Sequence, residues 1–137
     1  MSYLLDTNVL CEPARPRPNR RVLQWFERVP EGDLHVSVLS LGEIRRGVEA
    51  LEDGPRRGKL RLWLEGELRA RFEDRLLSVT ADVADRWGKL LAELDRPAPA
   101  VDSLLAATAL HHGLRLVTRN ERHFGYPGLA VVNPWSA

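Results

Sequence analysis

Only one of the 137 residues is a cysteine, Cys11. A lone thiol excludes an internal disulfide and any cysteine-rich zinc site. No histidine stands near it in sequence to activate it as a nucleophile, so packing is the role read for it. Long apolar runs are also missing. The longest, Leu104–Leu110, falls well short of the ~20 residues that span a bilayer. No basic segment followed by an apolar one opens the chain, and Asp6 interrupts the first apolar run. The expected compartment is therefore the cytoplasm, with no membrane partner. No glycine-rich fingerprint follows that run, which disfavours a dinucleotide-binding fold. The formal net charge is only +1, so there is no global basic field. Lysine is nearly absent: Lys59 and Lys89 stand alone among 20 basic residues. Arginine's planar fork suits phosphate oxygens, although a coding bias towards arginine accounts for the excess equally well. Clusters at Arg15, Arg17, Arg20 and Arg21, at Arg45 and Arg46, and at Arg56 and Arg57 are phosphate-contacting patches to consider.

What is present is ordinary for a soluble globular chain, with 44% hydrophobic and 28% charged residues. The length predicts one domain over residues 1–137, large enough for a real core. The stretch Tyr3-Leu4-Leu5-Asp6-Thr7-Asn8-Val9-Leu10 organises the rest. An apolar run too short for a helix, stopped by polar residues, reads as a buried strand entering a turn. A short helical turn follows near Asn8–Glu12, then an extended basic loop set by Pro13, Pro16 and Pro18. Asn19 caps a helix over Arg20–Val29, and Leu34–Val38 is the second strand. Ser40-Leu41-Gly42-Glu43 opens a helix with Leu41, Ile44, Val48 and Leu51 on one face. Arg56–Phe72 carries Leu60, Trp63, Leu64, Leu68 and Phe72 at helical spacing, and Leu76–Val79 is a third strand. Thr80 caps a helix bearing Val83, Trp87, Leu91 and Leu94; Ser103–His112 is a small-residue helix closed by Gly113. Leu114–Thr118 and Leu129–Val132 are the last strands, separated by a turn at Arg119–Phe124. Strands alternating with helices imply a three-layer α/β/α sandwich around a parallel sheet of about five strands. Trp63 and Trp87 are read as core, and His111-His112 as a solvated helix end.

Parallel strands point their carboxyl ends, and the helices' N-termini, to one rim, where ligands bind. Asp6 ends the first strand there. Glu43 is expected in the first turn of the helix after the second strand, and Asp102 at the start of the helix before the fourth. Each has a local role available. Asp6 suits a cap, Ser40 to Glu43 matches a capping box, and Asp102 suits the N-cap of Ser103–His112. Those roles do not explain why all three share a rim. Two like charges ~4 Å apart repel by about 4 kcal/mol at an effective dielectric near 20. Three ionised carboxylates therefore need a cation or raised pKa values. Oxygen-only ligands favour a hard ion, Mg²⁺ or Mn²⁺.

Five segments together resemble the PIN-domain ribonucleases, and most nearly the VapC-type toxins of bacterial toxin–antitoxin pairs. They are Leu5-Asp6-Thr7-Asn8, Ser40-Leu41-Gly42-Glu43-Ile44-Arg45-Arg46-Gly47, Asp102-Ser103-Leu104-Leu105-Ala106-Ala107-Thr108-Ala109, Leu116-Val117-Thr118-Arg119-Asn120 and Asn133-Pro134-Trp135. The resemblance implies Mg²⁺- or Mn²⁺-dependent endonucleolytic cleavage of RNA, with Asp6, Glu43 and Asp102 as catalytic metal ligands. It implies support of the site by Thr7, Asn8 and Thr118; Asn120 is a further candidate beside them, and Arg45, Arg46 and Arg119 are candidate RNA contacts. It also implies a homodimer and a cognate antitoxin protein, with DNA engaged only through the antitoxin. Many members carry a fourth acid in the turn after the fourth strand. Here that turn reads Asn120-Glu121-Arg122-His123, so His123 or Glu121 must serve if that position is filled.

Two other readings compete. One is a catalytically weak PIN-fold module that binds RNA or protein, motivated by the missing acid. The other, a phosphatase built on Asp6, wants a second aspartate two residues on, where Asn8 stands.

Overall fold

The computed structural model describes residues 1–136. Five short strands form one parallel sheet in the order β3-β2-β1-β4-β5. They are β1 (Tyr3–Leu5), β2 (Leu34–Ser37), β3 (Leu76–Leu77), β4 (Arg115–Val117) and β5 (Val131–Val132). Side chains alternate between faces along each strand. Leu5, Val36, Val117 and Val132 pack on one face with α1 (Thr7–Cys11), α2 (Arg20–Arg28) and α3 (Val38–Glu49). Beyond α3, α4 (Pro55–Leu62) and α5 (Arg69–Arg71) extend the same layer. Leu4, Leu77, Leu116 and Val131 pack on the other face with α6 (Ala81–Glu93) and α7 (Ala100–His112). The expected α/β/α sandwich with a five-stranded parallel sheet is the architecture found. Among the described residues no helix is long and apolar enough to cross a membrane.

Several boundaries differ from the sequence reading, and two of them change the site. α3 starts at Val38, directly after β2, because the buried Ser37 hydroxyl accepts from Leu39 N–H at 3.0 Å and caps it. Ser40 therefore lies inside the helix, and no capping box with Glu43 forms. Glu43 sits in the second turn with its side chain exposed. α7 starts at Ala100, with Pro99 as the preceding cap residue whose carbonyl accepts from Ser103 N–H at 3.0 Å. Asp102 is thus the third residue of the helix and not its cap. Neither carboxylate is consumed by capping.

The expected continuous helix over Arg56–Phe72 is α-helical through Leu62, a π-helical turn over Trp63–Leu68, and α-helical again over Arg69–Arg71. β2 to β5 are each shorter than the strands read from the sequence, and β3 stops at Leu77. Trp63 and Trp87 are partly buried against the two cores, as expected. Trp87 also donates its Nε1–H to Ser103 Oγ at 2.9 Å, tying α6 to the first turn of α7.

Candidate active site

β1 is the central strand, with β2 on one side and β4 on the other. The chain therefore winds away from β1 in both directions, and the β1–β4 gap is the switch point at which parallel sheets bind ligands. Asp6 and Thr118 stand at its two lips. Asp6 N–H donates to Val117 O at 2.9 Å, which extends the β1–β4 pairing by one residue. This places the buried Asp6 side chain at the carboxyl edge of the sheet.

Three donors fix that carboxylate. Thr118 Oγ1 donates to Asp6 Oδ2 at 2.8 Å, Asn8 Nδ2 donates to the same oxygen at 3.3 Å, and Thr7 N–H donates to Oδ1 at 2.8 Å. The last bond makes Asp6 the N-cap of α1. Capping and site geometry thus coexist in one residue, because the cap uses one oxygen and the sheet edge uses the other.

Thr7 reaches further. Its Oγ1 donates to Glu43 Oε1 at 2.7 Å, so one threonine contacts both carboxylates, Asp6 through its amide and Glu43 through its hydroxyl. Asn8 does the corresponding work on the other side. Its Nδ2 holds Asp6 while its Oδ1 accepts from Arg119 N–H at 3.2 Å, fixing the start of the turn after β4. Asn120 N–H donates to Thr118 Oγ1 at 3.0 Å, so that hydroxyl is oriented from behind. Asn120 acts here through its backbone.

Asp102 approaches from α7 with a side chain 27% exposed. Burial pushes its carboxyl above the ordinary range, the Asp6 charge adds to this, and His123 opposes it. His123 Nδ1 stands 4.0 Å from Asp102 Oδ2. The same negative field reaches Cys11, whose thiol is pushed up to about 11 by burial and then by Glu43 and Asp6. A thiol held protonated so far above neutrality is not a nucleophile. Its packing against the core agrees with the role expected for it.

The other expected residues are distributed less simply. Glu121 is turned towards the C-terminal segment, where Oε2 accepts from Asn133 Nδ2 at 3.3 Å. Arg45 is engaged by Glu49 at 3.2 Å and Glu65 at 3.3 Å, so its charge is neutralised locally on α3 and is not held out for a phosphate. Arg46 is exposed on the same helix. Arg119 is exposed, with its guanidinium over the ring of Trp135 at 5.2 Å.

Asn133 and Trp135 were not assigned a role from the sequence. Asn133 Nδ2 donates to Arg119 O at 3.4 Å as well as to Glu121, and its Oδ1 accepts from Trp135 N–H at 2.9 Å. The segment after β5 thereby braces the turn after β4. The available signal was the Asn133-Pro134-Trp135 cluster itself, a polar, rigid and aromatic triplet directly after the last strand.

Glu43 is linked to Asp6 through Thr7, while Asp102 responds to Asp6 through space. In the conformation described, no three His, Cys, Asp or Glu side chains among the described residues lie close enough to hold one ion. The donor set is nevertheless all carboxylate oxygen, with Glu43 exposed and held by a single hydrogen bond from Thr7. Crowded negative charge at a sheet edge can recruit a hard cation and, through it, a phosphate.

Comparison with known proteins agrees with this architecture. Residues 3–128 match the PIN domain. Toxin FitB of Neisseria gonorrhoeae is 35% identical over 135 residues, covering 96% of this chain and 97% of that protein. VapC ribonuclease Y4jK of Sinorhizobium fredii is 33% identical over 135 residues, covering 96% of each. Among solved structures, FitAB bound to the IR36 DNA fragment superposes with a TM-score of 0.88 at 33% identity, covering 97% of this chain and 95% of that one. With a match from residue 3 to residue 128 and relatives aligned over almost its whole length, this chain belongs to the PIN domain family.

Proposed function

We propose that this protein is a divalent-metal-dependent endoribonuclease that acts as the toxin of a toxin–antitoxin pair in the cytoplasm. The observation that carries the reading is the Asp6 carboxylate, clamped by Thr118, Asn8 and Thr7 at the switch point of the sheet, with Glu43 bonded to the same Thr7. The relatives named toxin and ribonuclease support it.

Asp6, Glu43 and Asp102 would hold Mg²⁺ or Mn²⁺. The all-oxygen donor set fits a hard ion. When bound, such an ion acidifies water and offsets the charge on a phosphodiester. The chain's own residues set the rest. Three hydrogen bonds fix Asp6, so it is the rigid ligand. Thr7 orients Glu43 without burying it, so Glu43 would offer the ion an exposed carboxylate. Asp102 carries a carboxyl whose ionisation is disfavoured by burial and by Asp6, so it gains most from a neighbouring cation.

The antitoxin is proposed to cover this carboxylate edge. An inserted arginine suits it, because a guanidinium pairs bidentately with carboxylates. DNA would be engaged through that partner, in keeping with FitAB having been solved on a DNA fragment. A homodimer is proposed as the working assembly.

One observation favours a second reading, a PIN-fold module with weak catalysis. The turn after β4 offers no free acid, since Asn120 and His123 are neutral or basic and Glu121 is held by Asn133. Incubation of single-stranded RNA with the purified protein and Mn²⁺ separates the two. The nuclease reading expects internal cleavage that chelation stops and Asp6→Asn abolishes. Binding without cleavage would establish the module.

A further inference from the structure

Arg119 is fixed at three points. Its N–H donates to Asn8 Oδ1 at 3.2 Å, its carbonyl accepts from Asn133 Nδ2 at 3.4 Å, and its guanidinium lies 5.2 Å from the ring centroid of Trp135. Trp135 is fixed as well. It packs against the core, its N–H donates to Asn133 Oδ1 at 2.9 Å, and its carbonyl accepts from Arg21 Nη1 at 3.2 Å. Arg119 nonetheless remains exposed, and no carboxylate pairs with it among the described residues.

This differs from the arginines held in ion pairs. Arg45, Arg57, Arg61, Arg71 and Arg75 are each neutralised by Glu31, Glu49 or Glu65. Two exposed arginines lie over an aromatic ring with no carboxylate partner among the described residues, Arg119 over Trp135 and Arg96 over Tyr126 at 5.5 Å, and of the two it is Arg119 whose backbone N–H bonds the Asn8 that holds Asp6. It also lines a hollow of ≈ 210 Å³ together with Asn120, Glu121, Arg122 and His123. His123 borders Asp102, and Thr118, the residue before Arg119, bonds Asp6. The hollow therefore adjoins the carboxylate edge.

We propose that Arg119, braced by Trp135, is a stacking platform for a nucleobase of single-stranded RNA, seated in the hollow of the turn after β4. Unstacked bases of single strands are recognised by stacking on aromatic rings and guanidinium planes. A guanidinium already held over an indole loses less freedom on binding than one waving in solvent. Its charge is available to the adjacent phosphate in the same contact. Arg119 would touch the base, and Trp135 is a positioning residue that acts through it. The proposal rests on the ribonuclease reading for its substrate class, and it adds a base-binding subsite to the carboxylate edge.

The test is direct binding of a short, unstructured, fluorescein-labelled oligoribonucleotide in chelator, followed by fluorescence anisotropy. Arg119→Lys keeps the charge and removes the plane. It is expected to bind about tenfold more weakly than the parent, the scale of one lost stacking contact, with an unchanged salt dependence. Trp135→Leu should weaken binding in the same direction, and Trp135→Phe should restore most of it. Arg119 is exposed, so its variant folds even where Trp135→Leu does not. Binding by Arg119→Lys within about twofold of the parent, or no RNA binding by the parent, overturns the platform. So does an Arg119→Lys variant that loses only antitoxin binding. If binding depends on the Arg119 plane but no metal yields cleavage, the nuclease reading fails while the platform stands.

Discussion

The hydroxyl of Thr118 donates to the carboxylate of Asp6 at 2.8 Å, joining the ends of β4 and β1 across 112 residues of sequence. The same hydroxyl accepts from Asn120 N–H, so its proton is directed at Asp6 and nowhere else. Thr118→Val keeps the shape and deletes both bonds. Loss of a hydrogen bond behind a metal ligand typically costs 10–100-fold in metal affinity or activity, and that range is expected here. Asn120 is exposed, so water can take up its freed N–H and that loss alone should change stability little. Thr118→Ser should recover the activity. Metal titration and thermal melts of the two variants check this. A fully active Thr118→Val would show that Asp6 needs no positioning.

Asp102 gives a prediction in which stability and function part company. Burial and the Asp6 charge raise its folded-state carboxyl above the unfolded value. Below the unfolded value the group is neutral in both states and costs nothing. As pH rises through the folded value it ionises, and stability is lost. Asp102→Asn removes that loss. In metal-free buffer the variant should melt higher than the parent at neutral pH, and the advantage should vanish in acid. Its cleavage should nonetheless fall by orders of magnitude. An equal gain at all pH values would mean the effect is packing and not charge.

The turn after β4 yields a third test. His123 is the side chain of this turn that meets Asp102, at 4.0 Å, whereas Asn120 contributes a backbone N–H. Restoring an acid should therefore work at position 123. His123→Asp is expected to tighten Mn²⁺ binding several-fold, and Asn120→Asp to change it less. The reverse order, read by calorimetry, would mean that the turn rearranges when metal enters.

Much of this site was legible because strand ends are legible. The run Tyr3-Leu4-Leu5 before Asp6 could only be a short strand, and Leu114–Val117 before Thr118 likewise. Helix starts were read less well. Ser37 and Ser40 are both good caps on composition, and only the position where β2 leaves the sheet decides for Ser37. Pro97 and Pro99 suggest a helix over Ser103–His112 capped by Asp102, but proline is tolerated just ahead of a first turn, so α7 begins three residues earlier, at Ala100.

The π-helical turn had a signal that was misread. Leu60, Leu64, Leu68 and Phe72 recur every four residues, which drifts ~40° per step around an α-helix. A wider turn at Trp63–Leu68 takes up the drift and keeps Leu64, Leu68 and Phe72 buried. For the bracing by Asn133 and Trp135 the sequence offers only the Asn133-Pro134-Trp135 triplet and not its partners, because side-chain bonds between distant loops leave no periodicity.

Asp6, Glu43 and Asp102 are proposed to hold a single divalent ion between them, although in this conformation no three such side chains among the described residues stand close enough to do so. Calorimetric titration with Mn²⁺ of the parent and of Glu43→Gln tests it without relying on cleavage. Glu43 is exposed, so the variant should fold as the parent does. One ion bound per chain is expected for the parent, with at least tenfold weaker binding by Glu43→Gln, since about 1.4 kcal/mol of lost ligand–ion interaction suffices for that factor. Equal affinity in the two proteins, or no binding by the parent, would contradict it.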